Sequence, residues 1–144
     1  MEKVEQFDVT DLKKILRDHS IQPSHHRLQV LHYLKHNKTH PTADMVYQHI
    51  VTKIHTLSKT TVYNTLKVFL EKGIVRELCI DEHELRYDIN VEPHAHFKCV
   101  KCKKLFDVFD ESFLISKNAV DGHIISKVDV YLQGICKDCA ICDN

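Results

Sequence analysis

The chain is expected to be α+β, with helices in its first half and a small sheet in its second. Three observations carry that expectation. Apolar residues recur at helical spacing four times before Gly73. Beyond Gly73 the period shifts toward two. Two C-x2-C pairs, Cys99 with Cys102 and Cys136 with Cys139, then bracket the second half.

Val9, Leu12, Ile15 and Leu16 form one stripe of a first helix. Ser24 caps a second, with Leu28, Leu31 and Leu34 spaced by three. His40-Pro41-Thr42 is a break and a cap, and Met45, Val46 and Ile50 follow on a third helix. Ser58 caps a fourth, whose apolar face is Val62, Leu66, Phe69 and Leu70 and whose stop is Gly73. Residues 74–80 and 85–89 read as strands joined by the polar turn 81–83. Helices followed by a hairpin make a winged helix-turn-helix, with the fourth helix as the DNA-reading element. Domain limits are set at 1–89 and 94–144, with 90–93 as a hinge. In the second domain, Phe97 to Cys99 and Leu105 to Phe109 flank the first cysteine turn as a hairpin. A helix is expected over 112–120, and a third strand over 124–132 from the alternation of Val128, Val130 and Leu132. So small a sheet needs zinc and a partner subunit to complete its core.

Composition narrows the function. Apolar content of 43% permits a folded core, and no apolar run reaches membrane-spanning length. The charged N-terminus MEKVEQFDVTDLKK lacks the apolar core of a secretory signal, so a cytoplasmic protein is expected. In a reducing compartment six cysteines read as metal ligands and thiols rather than disulfides. The formal net charge is zero, but residues 47–78 carry five Lys/Arg against two Glu. That +3 segment either faces phosphate or is a solvated helix face.

Four thiolates make a closed tetrahedral Zn2+ site with no position left for water, so this zinc is structural. The competing reading, redox dithiols, requires one C-x2-C opening a helix rather than two on hairpin ends. Cys79, in a wing strand, is expected to be a buried inert thiol, and Cys142 an exposed tail thiol. His94-x-His96 on an extended segment puts two imidazoles on one face. Asp88, Asp107 and His40 complete a donor set suited to Fe2+, Mn2+ or Zn2+. An H-x-H on a strand is also often incidental. Histidines 19, 25, 26, 32, 36, 49, 55, 83 and 123 read as helix-face or loop residues. A hydrolytic or deaminase zinc site is not expected, because neither H-E-x-x-H nor H-x-E with P-C-x-x-C occurs.

The stretches HPTADMVYQHI, LSKTTVYNTLKVFLEKGIVREL, RYD, HAHFKCVKC, LFD and GICKDC, in this order from about Leu12 to Cys139, resemble the ferric-uptake-regulator family of metal-dependent repressors. The resemblance implies a homodimer, each chain with a winged-helix DNA-binding domain and a small α/β dimerisation domain. Metal closes the dimer so that both recognition helices reach double-stranded DNA at an AT-rich palindrome. It implies structural zinc on Cys99, Cys102, Cys136 and Cys139, and regulatory Fe2+ or Mn2+ on His40, Asp88, His94, His96 and Asp107. Asp rather than Glu at 107 resembles the peroxide-sensing branch, in which Fe2+ and hydrogen peroxide convert His40 or His94 to 2-oxo-histidine and repression ends. Mn2+ would hold the closed state without generating the oxidant. The alternative is a regulator of iron, zinc or manganese uptake; neither reading makes the chain an enzyme. DNA contacts carry over to Ser58, Lys59, Thr61, Tyr63 and Asn64. A further metal site of several members falls on Pro93, Ala95, Leu114 and Val128, which cannot ligate through side chains, so it is expected to be absent. The usual glycine after the first cysteine pair is Lys103 here.

Overall fold

The structure, a computed structural model, describes residues 9–142. The chain divides between Val91 and Glu92 into two compact units.

In the first unit, α1 (Val9–Asp18), α2 (His25–His36), α3 (Ala43–Val51) and α4 (Lys59–Glu71) precede a two-stranded ribbon of β1 (Arg76–Leu78) and β2 (Arg86–Asp88). Each helix after the first starts where a hydroxyl can take an orphan backbone N–H. Ser24 accepts from the Arg27 amide, Thr42 from Met45 and Ser58 from Thr61. Gly73, at φ +75°, supplies the left-handed residue that ends α4. The helices enclose one core in which Leu16, Leu31, Val46, Ile50, Val62, Leu66 and Phe69 are fully buried. Met45 differs from its expected place: it is 42% exposed, while Ala43, Val46 and Ile50 form the inward face of α3.

The ribbon is antiparallel, with Glu77 opposite Tyr87, and only three residues pair on each strand. The expected run 74–80 is shortened because Ile74 and Val75 are drawn into the helical core first. Cys79 is a correction. Leu78 points inward at 0% exposure, so the next side chain faces out, and Cys79 is exposed rather than buried. The break before α3 runs beside β2: Thr42 bridges Arg86, and the Tyr87 amide donates to the Pro41 carbonyl at 3.0 Å.

The second unit is built on β3 (Ala95–Cys99). It pairs antiparallel with β4 (Leu105–Val108) and parallel with β7 (Tyr131–Gly134). A parallel neighbour needs a crossover, and residues 109–130 supply it. This segment departs from expectation. In place of a helix over 112–120 there is a 3-10 turn at Glu111–Phe113, started by the Asp110 carboxylate accepting from the Ser112 amide at 2.9 Å. A hairpin of β5 (Ala119–Val120) and β6 (His123–Ile124) follows. Its turn, Asp121-Gly122, takes φ values of +49° and +82°, the geometry that Asp-Gly favours in tight hairpins. The strand expected over 124–132 is therefore split between β6 and β7. The chain continues from Cys136 into α5 (Lys137–Cys142), so the second cysteine pair opens a helix instead of closing a hairpin.

Phe69 fills the centre of the first unit. Phe69→Ala should lower unfolding free energy by about 3–5 kcal/mol, measured by urea denaturation followed by helical circular dichroism. A loss under about 1 kcal/mol would contradict this packing.

Candidate metal centres

The first donor set lies wholly in the second unit. Cys99 ends β3, Cys102 sits in the turn after it, Cys136 precedes α5 and Cys139 lies in its first turn. Their four sulfurs lie within 4.8 Å of one another. Pairing of Cys99 with Gly134 in the β3–β7 ladder brings the two cysteine pairs together. Gly134 fits closely there: an added Cβ would sit 3.3 Å from the Phe97 ring, which would have to shift. The first turn is tight, with the Lys103 amide donating to the Cys99 carbonyl at 3.0 Å and Lys103 at φ +64°. A left-handed residue at this point explains why the family usually places glycine here.

The sulfurs are arranged for a cation rather than for each other. The Cys136 amide donates to Cys99 Sγ at 3.3 Å. This amide and those of Cys102 and Lys101 pull the Cys99 thiol down to about 6, whereas Cys139 is pushed up to about 12 by its contact with Cys136, then by burial and the other thiols. Four adjacent thiolates repel unless a metal neutralises them. The Cys102–Cys136 separation is 3.8 Å, far beyond an S–S bond of about 2.05 Å. Tetrahedral zinc with Zn–S bonds of about 2.3 Å sets sulfurs about 3.8 Å apart, so the cluster fits Zn2+. Cys142, exposed at the end of α5, stands outside it.

Two further donor sets stand one in each unit. In the first, His40 precedes Pro41 with φ +54°, a left-handed conformation that costs a non-glycine residue about 1–3 kcal/mol. The bridge from Thr42 to β2 pins that turn, and Arg86 Nη1 donates to the His40 carbonyl at 3.2 Å. Arg86 is itself held by Asp81 at 2.6 Å. Consequently His40 Nε2 lies 3.5 Å from Asp88 Oδ2, both side chains buried. The other Asp88 oxygen accepts from the Asn90 amide at 2.8 Å.

In the second unit His96 and Asp107 are directly opposite in the β3–β4 ladder, and His94 lies one residue before β3. The Nε2 atoms of His94 and His96 stand 3.3 Å and 3.4 Å from the same Asp107 Oδ1. His94 Nδ1–H donates to the Glu92 carbonyl at 2.7 Å. That bond fixes the tautomer and leaves Nε2 presenting its lone pair. A lone pair facing a carboxylate oxygen is repulsive unless a cation lies between them, so this trio fits a divalent ion bound through nitrogen and oxygen. The Phe109 ring stacks on His94 at 5.2 Å and shields one side. The supports from Arg86, Asp81, Glu92 and Phe109 had no signature in the sequence: a backbone carbonyl or a brace acquires its role only from the register.

Of the residues expected to meet DNA, Ser58, Lys59 and Asn64 are exposed, Tyr63 is 48% exposed, and Thr61 is half-buried with its hydroxyl 2.8 Å from Ser58 Oγ. Lys59 Nζ is 2.7 Å from Asp44 and sits over the Tyr47 ring.

Helices with a wing, followed by a small sheet carrying four clustered cysteines, define a metal-dependent regulator of the winged-helix class. The ferric uptake regulator family model matches residues 18–132, and the protein belongs to that family. It is 33% identical over 129 residues to the peroxide-responsive repressor PerR of Staphylococcus epidermidis, covering 86% of this chain and 85% of that protein. The peroxide stress regulator of Campylobacter jejuni matches with a TM-score of 0.63 at 29% identity, over 90% of this chain and 97% of that one. The Helicobacter pylori ferric uptake regulator, described with three functional metal binding sites, shares the fold with a TM-score of 0.70 at 23% identity over 97% of both chains. The fold is thus the family's winged-helix domain followed by its dimerisation domain.

Cys136→Ser should abolish retention of the cysteine-bound zinc after dialysis against chelator, measured by elemental mass spectrometry, and lower the melting temperature. His94→Ala should keep that zinc. Undiminished zinc in Cys136→Ser would refute the four-thiolate assignment.

Proposed function

We propose that this chain is a metal-dependent, DNA-binding transcriptional repressor that senses hydrogen peroxide. The observation that carries the reading is the convergence of two imidazole Nε2 atoms on one Asp107 oxygen, with the His94 tautomer already fixed. In this reading His40 and Asp88 join His94, His96 and Asp107 around one Fe2+ or Mn2+, while Cys99, Cys102, Cys136 and Cys139 keep a structural Zn2+. Residues 90–93 act as the hinge between 1–89 and 94–144, and the shared ion restricts it. Metal would then favour the DNA-competent arrangement by its differential affinity for that state.

The second unit leaves Phe109, Ile115, Ile124 and Ile141 between 56% and 90% exposed, an apolar surface that a second copy of the chain covers in a homodimer. The α4 face of Ser58, Lys59, Tyr63 and Asn64 then enters the major groove of an AT-rich palindrome. Tyr63 packs on thymine methyls, Asn64 reads adenine, and Lys59 leaves Asp44 for a phosphate. Among the described residues no helix is long and apolar enough to cross a membrane, and a cytoplasmic site of action follows from the DNA partner. Regulation of transcription, rather than turnover of a substrate, is the activity.

Fe2+ held by His40, Asp88, His94, His96 and Asp107 would relay electrons to peroxide and regain them from the ring, so that the two electrons consumed come from the imidazole. The His40 and His94 rings are the oxidisable groups; both are buried, and the bond to the Glu92 carbonyl orients His94. Net, an imidazole C2–H gains one oxygen to give 2-oxo-histidine, and the second peroxide oxygen leaves as water. The oxidised ring is a poor donor, so the His40–Asp88 half is released and repression ends. The name of the Staphylococcus epidermidis relative and the Asp at 107 support peroxide over metal supply as the signal.

Anaerobic loading with Fe2+, a small excess of peroxide and peptide mass spectrometry should find one added oxygen on His40 or His94, absent from a Mn2+ control. Unmodified histidines in iron-occupied protein would instead leave a regulator of metal uptake. On DNA, Asn64→Ala should relax preference at an adenine by about 1–3 kcal/mol. Lys59→Ala should weaken binding to all sequences alike and reduce the salt slope by about one. Equal effects of the two substitutions on every site would argue against α4 as the reading helix.

A further inference from the structure

The first residue of α4 is held by α3. Lys59 Nζ stands 2.7 Å from Asp44 Oδ1 and lies over the Tyr47 ring, 5.9 Å from its centre. Asp44 and Tyr47 are three apart on α3, so they present one face to the same ammonium. The contact with Asp44, before any other cause, holds the Lys59 ammonium above its ordinary range. Helix formation does not call for this lysine. The N-terminus of a helix is its positive end and disfavours a cation, and the first turn of α4 carries no acid of its own. Nor does the pair add much stability: Lys59 is 53% exposed and Asp44 48%, and such pairs are screened by water and salt. What the arrangement does provide is an exposed cation beside Ser58, Tyr63 and Asn64 whose charge already has a carboxylate partner.

We propose that Asp44 sets how tightly this chain holds DNA, by standing in for a phosphate on Lys59 until DNA displaces it. The inference rests on the reading of α4 as the helix that meets DNA. Asp44 offers Lys59 what a phosphate offers, an anionic oxygen at the tip of the side chain, so one ammonium has two competing acceptors. Binding DNA therefore breaks an ion pair before it makes one, and it leaves the Asp44 carboxylate unpaired near the phosphate backbone. Both effects oppose binding, and neither depends on base sequence. Asp44 thus weakens the hold on all duplexes alike and leaves the choice among them to Tyr63 and Asn64.

The test uses the full chain, zinc-loaded and with Mn2+, on two duplexes: an AT-rich palindrome and the same bases scrambled. Fluorescence anisotropy gives the affinities of the parent, Asp44→Asn, Lys59→Ala and the double variant over a range of salt concentrations. Asn keeps the shape of Asp without its charge. Asp44→Asn should bind both duplexes about two- to five-fold more tightly at low salt, with the gain shrinking as salt rises. In the Lys59→Ala background the same substitution should give a smaller gain, since only the repulsion between Asp44 and DNA is left to remove. Were Asp44 merely a brace for the angle between α3 and α4, its loss would weaken DNA binding, the opposite sign. An equal gain in the two backgrounds, no gain, or weaker binding would overturn the proposal. Lys59→Ala alone tells the two readings apart. If it weakens binding to both duplexes, α4 meets DNA and the Asp44 comparison decides this proposal by itself. If it changes neither affinity, the α4 reading fails and this proposal fails with it.

Discussion

The four-sulfur cluster is the constraint on which the second unit depends, because β3 carries both ends of the chemistry. Cys99 closes the strand, and His94 and His96 stand before and within its first turn of pleat. The unit has almost no apolar interior: among its described residues those buried are Ala95, Cys99, Cys136, His94 and His96. Hydrophobic burial on that scale cannot offset the entropy of ordering the backbone. Four thiolates on one cation would supply what the core lacks, since the free energy of binding a structural metal is also folding free energy. By joining Cys99 and Cys102 to Cys136 and Cys139 they hold β7 in parallel register with β3. The same ladder carries the His96 amide to the Val130 carbonyl at 3.0 Å. The imidazole geometry at one end of the strand is thus a consequence of the sulfur geometry at the other.

The first unit meets the opposite problem. It has a large core and can sustain strain, and it spends some at His40. A left-handed histidine before a proline is unfavourable, yet it turns the ring toward Asp88. The strain persists because three neighbours determine the turn: the Thr42 bridge, the Tyr87 amide on Pro41, and Arg86 on the His40 carbonyl. Arg86 lies in β2 two residues before Asp88, so a single three-residue strand positions both donors.

What the sequence disclosed follows from the range of the forces involved. Helices α1 to α4 were legible because caps and apolar stripes are local: Ser24, Thr42, Ser58 and Gly73 announce themselves within a turn of the residues they serve. The cysteine pairs were legible because ligand chemistry leaves few alternatives. The crossover 109–130 was misread because Val128, Val130 and Leu132 alternate like a strand, while pairing with β3 was decided by a partner 35 residues away. Asp121-Gly122 was a turn signal inside an assumed element boundary, and it prevailed over weak helical propensity upstream. Gathering His94, His96 and Asp107 required resemblance to a family, since no local pattern places Asp107 opposite His96.

Two chemically unlike donor sets in one chain solve a selectivity problem. For nitrogen and oxygen donors of fixed kind, zinc binds more tightly than iron or manganese, so affinity alone would fill every site with zinc. Concentrating four of the six cysteines in one tetrahedral cluster gives zinc the geometry and softness it prefers. Asp107 and the imidazoles offer harder donors, and the proposed addition of His40 and Asp88 raises their number beyond the four that tetrahedral zinc uses. Discrimination then rests on coordination number and on carboxylate content. The length of the side chain at 107 enters at this point. Glu, longer by one methylene, would displace the carboxylate relative to Nε2 of His94 and His96. The β3–β4 register, which sets position 107 opposite His96, makes that single methylene matter to where the carboxylate stands.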